Sequence, residues 1–295
     1  KVACVGAGPA SLACAAKLAT EGYQVTIYEE RDKAGGVLTY GIAPSRLPEH
    51  VVAHDIKTVK DLGVKFEFGV KVGKDIDLKE MGYDAIFIGA GLWSAKTPNI
   101  PGLDKKGVWT AIDFLEKARI EKEKFELGED VVVIGGGDVA VDCAVTAKLL
   151  GAKNVHIMYR RTIEEAPADM PEFIYALSLG ISLTTNMAPA EVIGDDKVET
   201  VAFNGRDGVS GAKIKADTVV FAIGQQPEDM TAIAPVKLSE KRVIKAGSNG
   251  KTSVAGVFAA GDVVNGGKTV VQAVADGKEA ADSIIAYLVK KEGVK

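Results

Sequence analysis

Cysteine is scarce in this sequence, with three residues in 295 and none spaced as a CxxC pair. An iron–sulfur cluster normally needs four thiolates and a redox disulfide normally shows CxxC-type spacing, so neither is expected within the chain itself. Cys4, Cys14 and Cys143 each fall in or beside a predicted strand or helix and read as buried structural thiols. Histidine is equally sparse. His50 and His54 lie one helical turn apart without a third ligand, so no metal site is expected. No apolar run is long enough to cross a bilayer, and no charged leader precedes an apolar signal segment; the expected setting is cytoplasmic, with no membrane partner. Lys and Arg number 36 against 40 Asp and Glu, a net charge of −4 without a basic block, which argues against a nucleic-acid partner. An initiating Met is missing too. Lys1 already lies in the first predicted strand, and the chain reads as a fragment or one module of a longer protein. No Ser or Cys nucleophile with a partnering base is recognisable, and no catalytic side chain is assigned.

What the sequence does contain is glycine at the ends of apolar strands. Lys1 to Val5 runs into Gly6-Ala7-Gly8-Pro9-Ala10-Ser11, and the next apolar strand, Val25 to Tyr28, ends at Glu29. Val131 to Ile134 runs into Gly135-Gly136-Gly137-Asp138-Val139-Ala140, and the following strand, Val155 to Tyr159, ends at Arg160 and Arg161. Glu29 follows Gly6 by 23 positions and Arg160 follows Gly135 by 25, so the two residues hold nearly the same place in two copies of one unit. A glycine turn lets the backbone approach a pyrophosphate, which the helix N-terminus then attracts. An acid at the end of the second strand accepts hydrogen bonds from a ribose diol, whereas arginines there accommodate a 2′-phosphate. The pair therefore points to one FAD or NAD site and one NADPH site. Ser11 stands where the fingerprint has Gly or Ala, and its small side chain should still permit close helix–strand packing. Asp138 reads as a helix-start residue rather than an acid–base catalyst.

The expected fold class is α/β, with two Rossmann-like dinucleotide-binding domains. Residues 1–108 form the first unit, with helices near Ala10–Glu21 and Pro48–Leu62 and a closing strand Ala85–Ile88 followed by Gly89-Ala90-Gly91. Glu116–Glu129 reads as a solvated helix and linker. The second unit spans 109–225 and ends on the phrase Thr218–Gly224, after which Val257–Asp262 and a helix from about Thr269 return to the first unit's style. A domain inserted within another, 109–225 inside 1–108 plus 226–295, explains this order. Asp262 could accept hydrogen bonds from a sugar-alcohol chain or cap a turn. Thr269 could be an ordinary N-cap, or open a helix whose N–H groups face a reducible ring.

Gly6–Ser11, Gly41-Ile42-Ala43-Pro44-Ser45-Arg46-Leu47-Pro48, Gly135–Ala140, Tyr159-Arg160-Arg161 and Ala259-Ala260-Gly261-Asp262-Val263-Val264 resemble the flavoprotein module of the glutamate synthase small (β) chain. The same module occurs in dihydropyrimidine dehydrogenase and in NADH-dependent ferredoxin:NADP oxidoreductase. The likeness covers essentially the whole chain. It implies an FAD domain interrupted by an NADPH domain. Gly35 and Gly36, following Gly6, Gly8 and Glu29 in order, complete the dinucleotide pattern, with Val37 and Gly91 expected beside the same cofactor. The resemblance implies further that Arg46 and Val72 border FAD and that Gly261 to Thr269, Asp262 among them, line the flavin. Gly136–Val139, Ala222 and Gly224 would border NADPH. Such modules hand electrons to an iron–sulfur domain or subunit, here a partner outside this chain. The missing paired cysteines argue against a thioredoxin-reductase-like alternative, and a flavin-binding module without catalysis would leave the second dinucleotide site without a purpose.

Overall fold

The computed structural model describes residues 1–43, 46–121 and 125–293. Pro44 and Ser45 of the motif above, and residues 122–124 of the expected linker, lie outside the described residues. In chain order the first segment carries β1 (Val2–Val5), α1 (Pro9–Thr20), β2 (Val25–Glu29), α2 (Val37–Tyr40), α3 (Glu49–Asp61), β3 (Lys65–Phe68), β4 (Ala85–Ile88) and β5 (Ser94–Ala95). Then follow β6 (Val108–Thr110), α4 (Ala111–Glu121), β7 (Asp130–Ile134), α5 (Asp138–Leu149), β8 (Asn154–Met158), α6 (Met170–Ser178), β9 (Ser182–Thr184), β10 (Met187–Ile193), β11 (Thr200–Gly205), β12 (Gly211–Lys215), β13 (Thr218–Phe221) and β14 (Gln225–Gln226). The chain closes with β15 (Val257–Ala259), α7 (Asp262–Asn265) and α8 (Val270–Glu292).

Two compact units result: Lys1–Ser94 with Gln226–Lys295, and Ala95–Gln225. The first crossing comes earlier than the expected boundary at residue 108. Ile100 and Leu103 pack against the second unit's apolar cluster, and the Pro101 carbonyl accepts the Val192 N–H at 3.0 Å, which ties the intervening segment to that unit.

The first unit is a parallel sheet in the order β15-β4-β1-β2-β3. Its central strands, VACV and AIFI, are apolar throughout and buried throughout, as strands covered on both faces must be. α1 begins with Pro9, whose fixed φ and missing N–H suit a first helical turn, and packs along α8. The helices meet closely because Gly277 has no side chain: a Cβ there would lie 2.2 Å from the Ala10 carbonyl oxygen. The second unit repeats the plan as β6-β13-β7-β8-β9, again all parallel, and adds an antiparallel sheet β10-β11-β12.

The segment expected to be a solvated helix and linker is otherwise. α4 starts at Ala111, and Phe114, Leu115, Ala118, Phe125 and Leu127 are buried in the second unit's core. The charged residues of this stretch masked an apolar stripe, which Trp109 and Phe125 extend by edge-on ring packing at 5.3 Å. Among the described residues no helix is long and apolar enough to cross a membrane.

Candidate cofactor sites

In each unit the strand order reverses beside the first glycine-leading strand, at β1/β4 in one and β7/β13 in the other. Such a switch point opens a crevice at the carboxyl ends of the strands. The glycine turn forms one lip and the residues after the neighbouring strand form the other. At Gly6, φ is +84° and an added Cβ would lie 2.9 Å from the Gly89 carbonyl oxygen. At Gly135 a Cβ would lie 2.3 Å from the Ala222 oxygen. The two lips can therefore touch only through bare backbone. Gly224 continues the second lip, its carbonyl accepting the Lys96 N–H at 3.0 Å, and Gly91 continues the first with φ +70°.

Gly35 and Gly36, distant from the first turn in sequence, lie against it. Gly35 N–H bonds to the Ala7 carbonyl at 2.8 Å, and a Cβ on Gly36 would approach the Gly8 Cα to 2.9 Å. Val37, exposed, opens α2 from that point. No side chain caps α1 at Gly8 or α5 at Gly137. The first-turn N–H groups of each helix, with Ala10 and Ser11 in one and Asp138 and Val139 in the other, thus face the crevice mouth with no intrahelical acceptor. Ser11 is fully buried and its hydroxyl points back to the Val5 carbonyl at 3.4 Å, so the tight helix–strand packing is achieved with serine. Asp138 begins α5, exposed and without a side-chain cap bond, a helix-start residue as its sequence position indicated.

The ends of the second strands differ in kind. Glu29 is buried, and its two carboxylate oxygens accept the Ala7 N–H at 2.7 Å and the Arg31 N–H at 3.0 Å. Burial pushes its carboxyl above the ordinary range, and the two N–H groups pull it back. A pocket of about 130 Å³ opens beside it, lined by Gly6, Glu29, Lys71, Val72, Gly91 and Trp93 among others. Lys71 spans this pocket's edge, paired to Glu30 at 2.9 Å and to Glu228 at 2.7 Å.

In the second unit, by contrast, Arg160 and Arg161 are exposed, and among the described residues neither guanidinium has a hydrogen-bonded or ionic partner. Register refines their equivalence with Glu29. Gly6 N–H bonds to the Tyr28 carbonyl and Gly135 N–H to the Met158 carbonyl, so Glu29 corresponds to Tyr159 and Arg160 to Glu30. The turn before β8 is one residue longer, and the Tyr159 ring occupies the vacated place: a Cβ on Gly136 would lie 2.5 Å from that ring.

Gly261 (φ +76°) brings the end of β15 to α1, where a Cβ would meet that of Ala10 at 3.0 Å. Asp262 is partly buried and uses one oxygen to accept the Lys268 N–H at 3.1 Å. Its carboxyl is raised, chiefly by burial. Thr269 is the N-cap of α8, its hydroxyl accepting the Gln272 N–H at 3.2 Å. Arg46 lies in a turn closed by its N–H to the Ala43 carbonyl at 2.9 Å. His50 and His54 sit exposed on α3, and among the described residues no group of three or more metal-ligating side chains occurs. All three thiols are buried and free.

Arg31, Tyr40 and Trp93 were not singled out from sequence. The Arg31 guanidinium lies 4.1 Å from the Trp93 ring and 4.7 Å from the Tyr40 ring, while the Tyr40 hydroxyl donates to Asp32 at 2.6 Å. The only sequence cue was aromatic residues flanking glycine turns. Together these cradles fit dinucleotides: bare backbone at the turn, uncapped helix starts, and a fixed acid or free arginines at the strand end.

A sequence profile described as pyridine nucleotide-disulphide oxidoreductase matches residues 1–277. The chain belongs to that family. As a member it is an oxidoreductase dependent on FAD and a pyridine nucleotide. Within the family it is 37% identical over 290 residues to the NAD-dependent dihydropyrimidine dehydrogenase subunit PreT of Escherichia coli, covering 98% of this chain and 68% of that one. It is 35% identical over 320 residues to the glutamate synthase [NADPH] small chain of Halomonas elongata, with the same coverages. The fold is also that of thioredoxin reductase from T. acidophilum, with a TM-score of 0.82, 24% identity and 98% of both chains covered.

Proposed function

We propose that this chain takes hydride from NADPH onto FAD and passes the electrons to iron–sulfur clusters in an adjoining domain or partner chain, in the manner of a glutamate synthase small chain. The observation that carries this reading is the contrast between strand ends: a buried, tethered carboxylate in one unit and two unpartnered guanidinium groups in the other. In this reading 1–94 with 226–295 is the FAD domain and 95–225 the NADPH domain.

Bound FAD would supply a two-electron acceptor for hydride that can also release electrons singly. The protein's part is to hold and orient. Glu29, already fixed by Ala7 and Arg31, would accept from the adenosine ribose, and the first turn of α1 from Pro9 to Ser11 would receive the pyrophosphate. Val37, Arg46, Val72 and Gly91 would border the cofactor. The free Asp262 oxygen would accept from the ribitol chain. Thr269, by capping α8, would keep the remaining N–H groups of that helix start directed at the flavin, where they would stabilise negative charge. In the second unit Gly135–Val139 would cradle the nucleotide phosphates, with Ala222 and Gly224 as the opposite lip. Arg160 and Arg161 would clasp the 2′-phosphate, for which planar guanidinium groups are suited. A reducing cytoplasm would suit a protein with three unpaired thiols.

An anaerobic titration of the FAD-loaded protein with NADPH, and separately with NADH, tests the proposal. Bleaching of the oxidised-flavin absorbance at far lower NADPH than NADH is expected. Flavin that stays oxidised with both would reduce the chain to a binding module.

A further inference from the structure

The turn that follows Arg160 and Arg161 holds the Glu165 carboxylate against the backbone N–H next to Arg161. Thr162 and Glu165 form a capping box around the short helix Ile163–Glu165: the Thr162 N–H donates to Glu165 Oε2 at 3.0 Å. The Tyr159 hydroxyl donates to the Glu165 carbonyl at 2.9 Å, so this acid is held at both backbone and side chain. The box fixes the exit of the strand that presents the arginines. It also leaves a negative charge beside a position proposed to bind a dianion, and like charges at such range cost affinity.

Arg206, 41 residues further along the chain, answers that charge. Its Nη1 donates to the same Glu165 Oε2 at 2.5 Å. The backbone places it there by two hydrogen bonds. Asn186, with φ 59°, donates its N–H to the Arg161 carbonyl at 3.0 Å, and the Asn186 carbonyl accepts the Arg206 N–H at 2.9 Å. The end of β11 is thereby docked onto the backbone of Arg161. Asp207, which follows Arg206, is engaged by the Ser210 hydroxyl and the Val209 N–H. The Arg206–Glu165 pair is about half exposed, and pairs of that kind add little to folding.

We infer that Arg206 is a positioning residue for 2′-phosphate recognition, acting through Glu165 by neutralising the carboxylate that the capping box sets beside Arg160 and Arg161. This rests on the reading of the second unit as an NADPH site. The specificity of that site is then set by four side chains from two sheets, three basic and one acidic.

The test is calorimetric binding of 2′,5′-ADP and of 5′-AMP to the FAD-loaded chain. Arg206→Gln should weaken 2′,5′-ADP by roughly fivefold, the scale of one exposed charge contact, and leave 5′-AMP unchanged. Adding Glu165→Gln to that variant should restore wild-type discrimination, because the offending charge is gone. Unchanged 2′,5′-ADP binding in Arg206→Gln would overturn the inference. So would a loss that the double variant fails to rescue, since Arg206 would then not act through Glu165. A control separates the two levels: if Arg160→Gln with Arg161→Gln binds 2′,5′-ADP like the wild type, the NADPH reading itself falls. If only that control loses affinity, the role of Arg206 falls and the reading stands.

Discussion

A Cβ at the leading glycine of either turn would strike the carbonyl that follows the neighbouring strand, Gly89 in one unit and Ala222 in the other, yet the two turns end in opposite states of preparation. In the first unit the recognition group is an acid buried and held by two N–H groups before any ligand arrives. In the second it is a pair of exposed cations with no partner among the described residues. A fixed group holds its ligand with little ordering to be done on binding, which suits a cofactor that stays. Free side chains must be ordered at each encounter, which suits a substrate that comes and goes. On the proposed assignment, the same fold would separate retention from turnover by what stands at the end of one strand.

The comparison breaks most sharply at the glycines themselves. Gly6→Ala places a side chain at φ +84° and 2.9 Å from the Gly89 oxygen, and is expected to destabilise the chain by about 2–3 kcal/mol and to strip FAD, as thermal melts and flavin absorbance will report. Gly8→Ala, with nothing nearer than 3.9 Å, should leave the melting temperature within a degree or two of wild type, so equal losses at both positions would refute the steric account. Next comes Glu29→Gln, whose amide cannot accept both N–H groups. FAD affinity should fall roughly tenfold by fluorescence titration, the cost of about 1–2 kcal/mol for one mismatched buried hydrogen bond. The same variant carries a pH signature. Because burial raises the Glu29 carboxyl in the folded state, that state holds its proton more tightly than the unfolded chain, and stability falls as pH rises above the ordinary carboxyl range. Melts of the apoprotein from about pH 4 to 7 should show this slope in wild type and its loss in Glu29→Gln. The smallest effect is expected at Lys71→Met. Both its ion pairs are partly exposed, so FAD dissociation should quicken only about two- to fivefold, and added salt should no longer accelerate it.

Much of this was legible in the sequence because local chemistry dictated it. Pro9 after two glycines started α1, Thr269 capped α8, and continuous apolar runs marked the central strands. What stayed hidden depended on packing between distant residues. Counting positions from Gly135 aligned Arg160 with Glu29, but one extra residue before β8 and the bulk of Tyr159 over Gly136 shifted the match by one. The charged run around Glu116 concealed the buried face of α4, because Asp113, Glu116 and Lys117 alternate along the chain with the buried Phe114, Leu115 and Ala118. The glycines at 205, 208 and 211 mark a hairpin between β11 and β12, but nothing in the sequence ties Arg206 to the end of β8; that link runs through the backbone of Asn186.

The first unit draws β15 and α8 from beyond residue 256, while the second is continuous from 95 to 225. On a ribosome the second unit can therefore close while the first is still an unfinished sheet. Its glycine turn must wait for Gly261 and Gly277 to emerge and press against Ala10. A chain cut short before α8 would hold every strand and helix of the second unit and lack the helix that packs along α1 in the first.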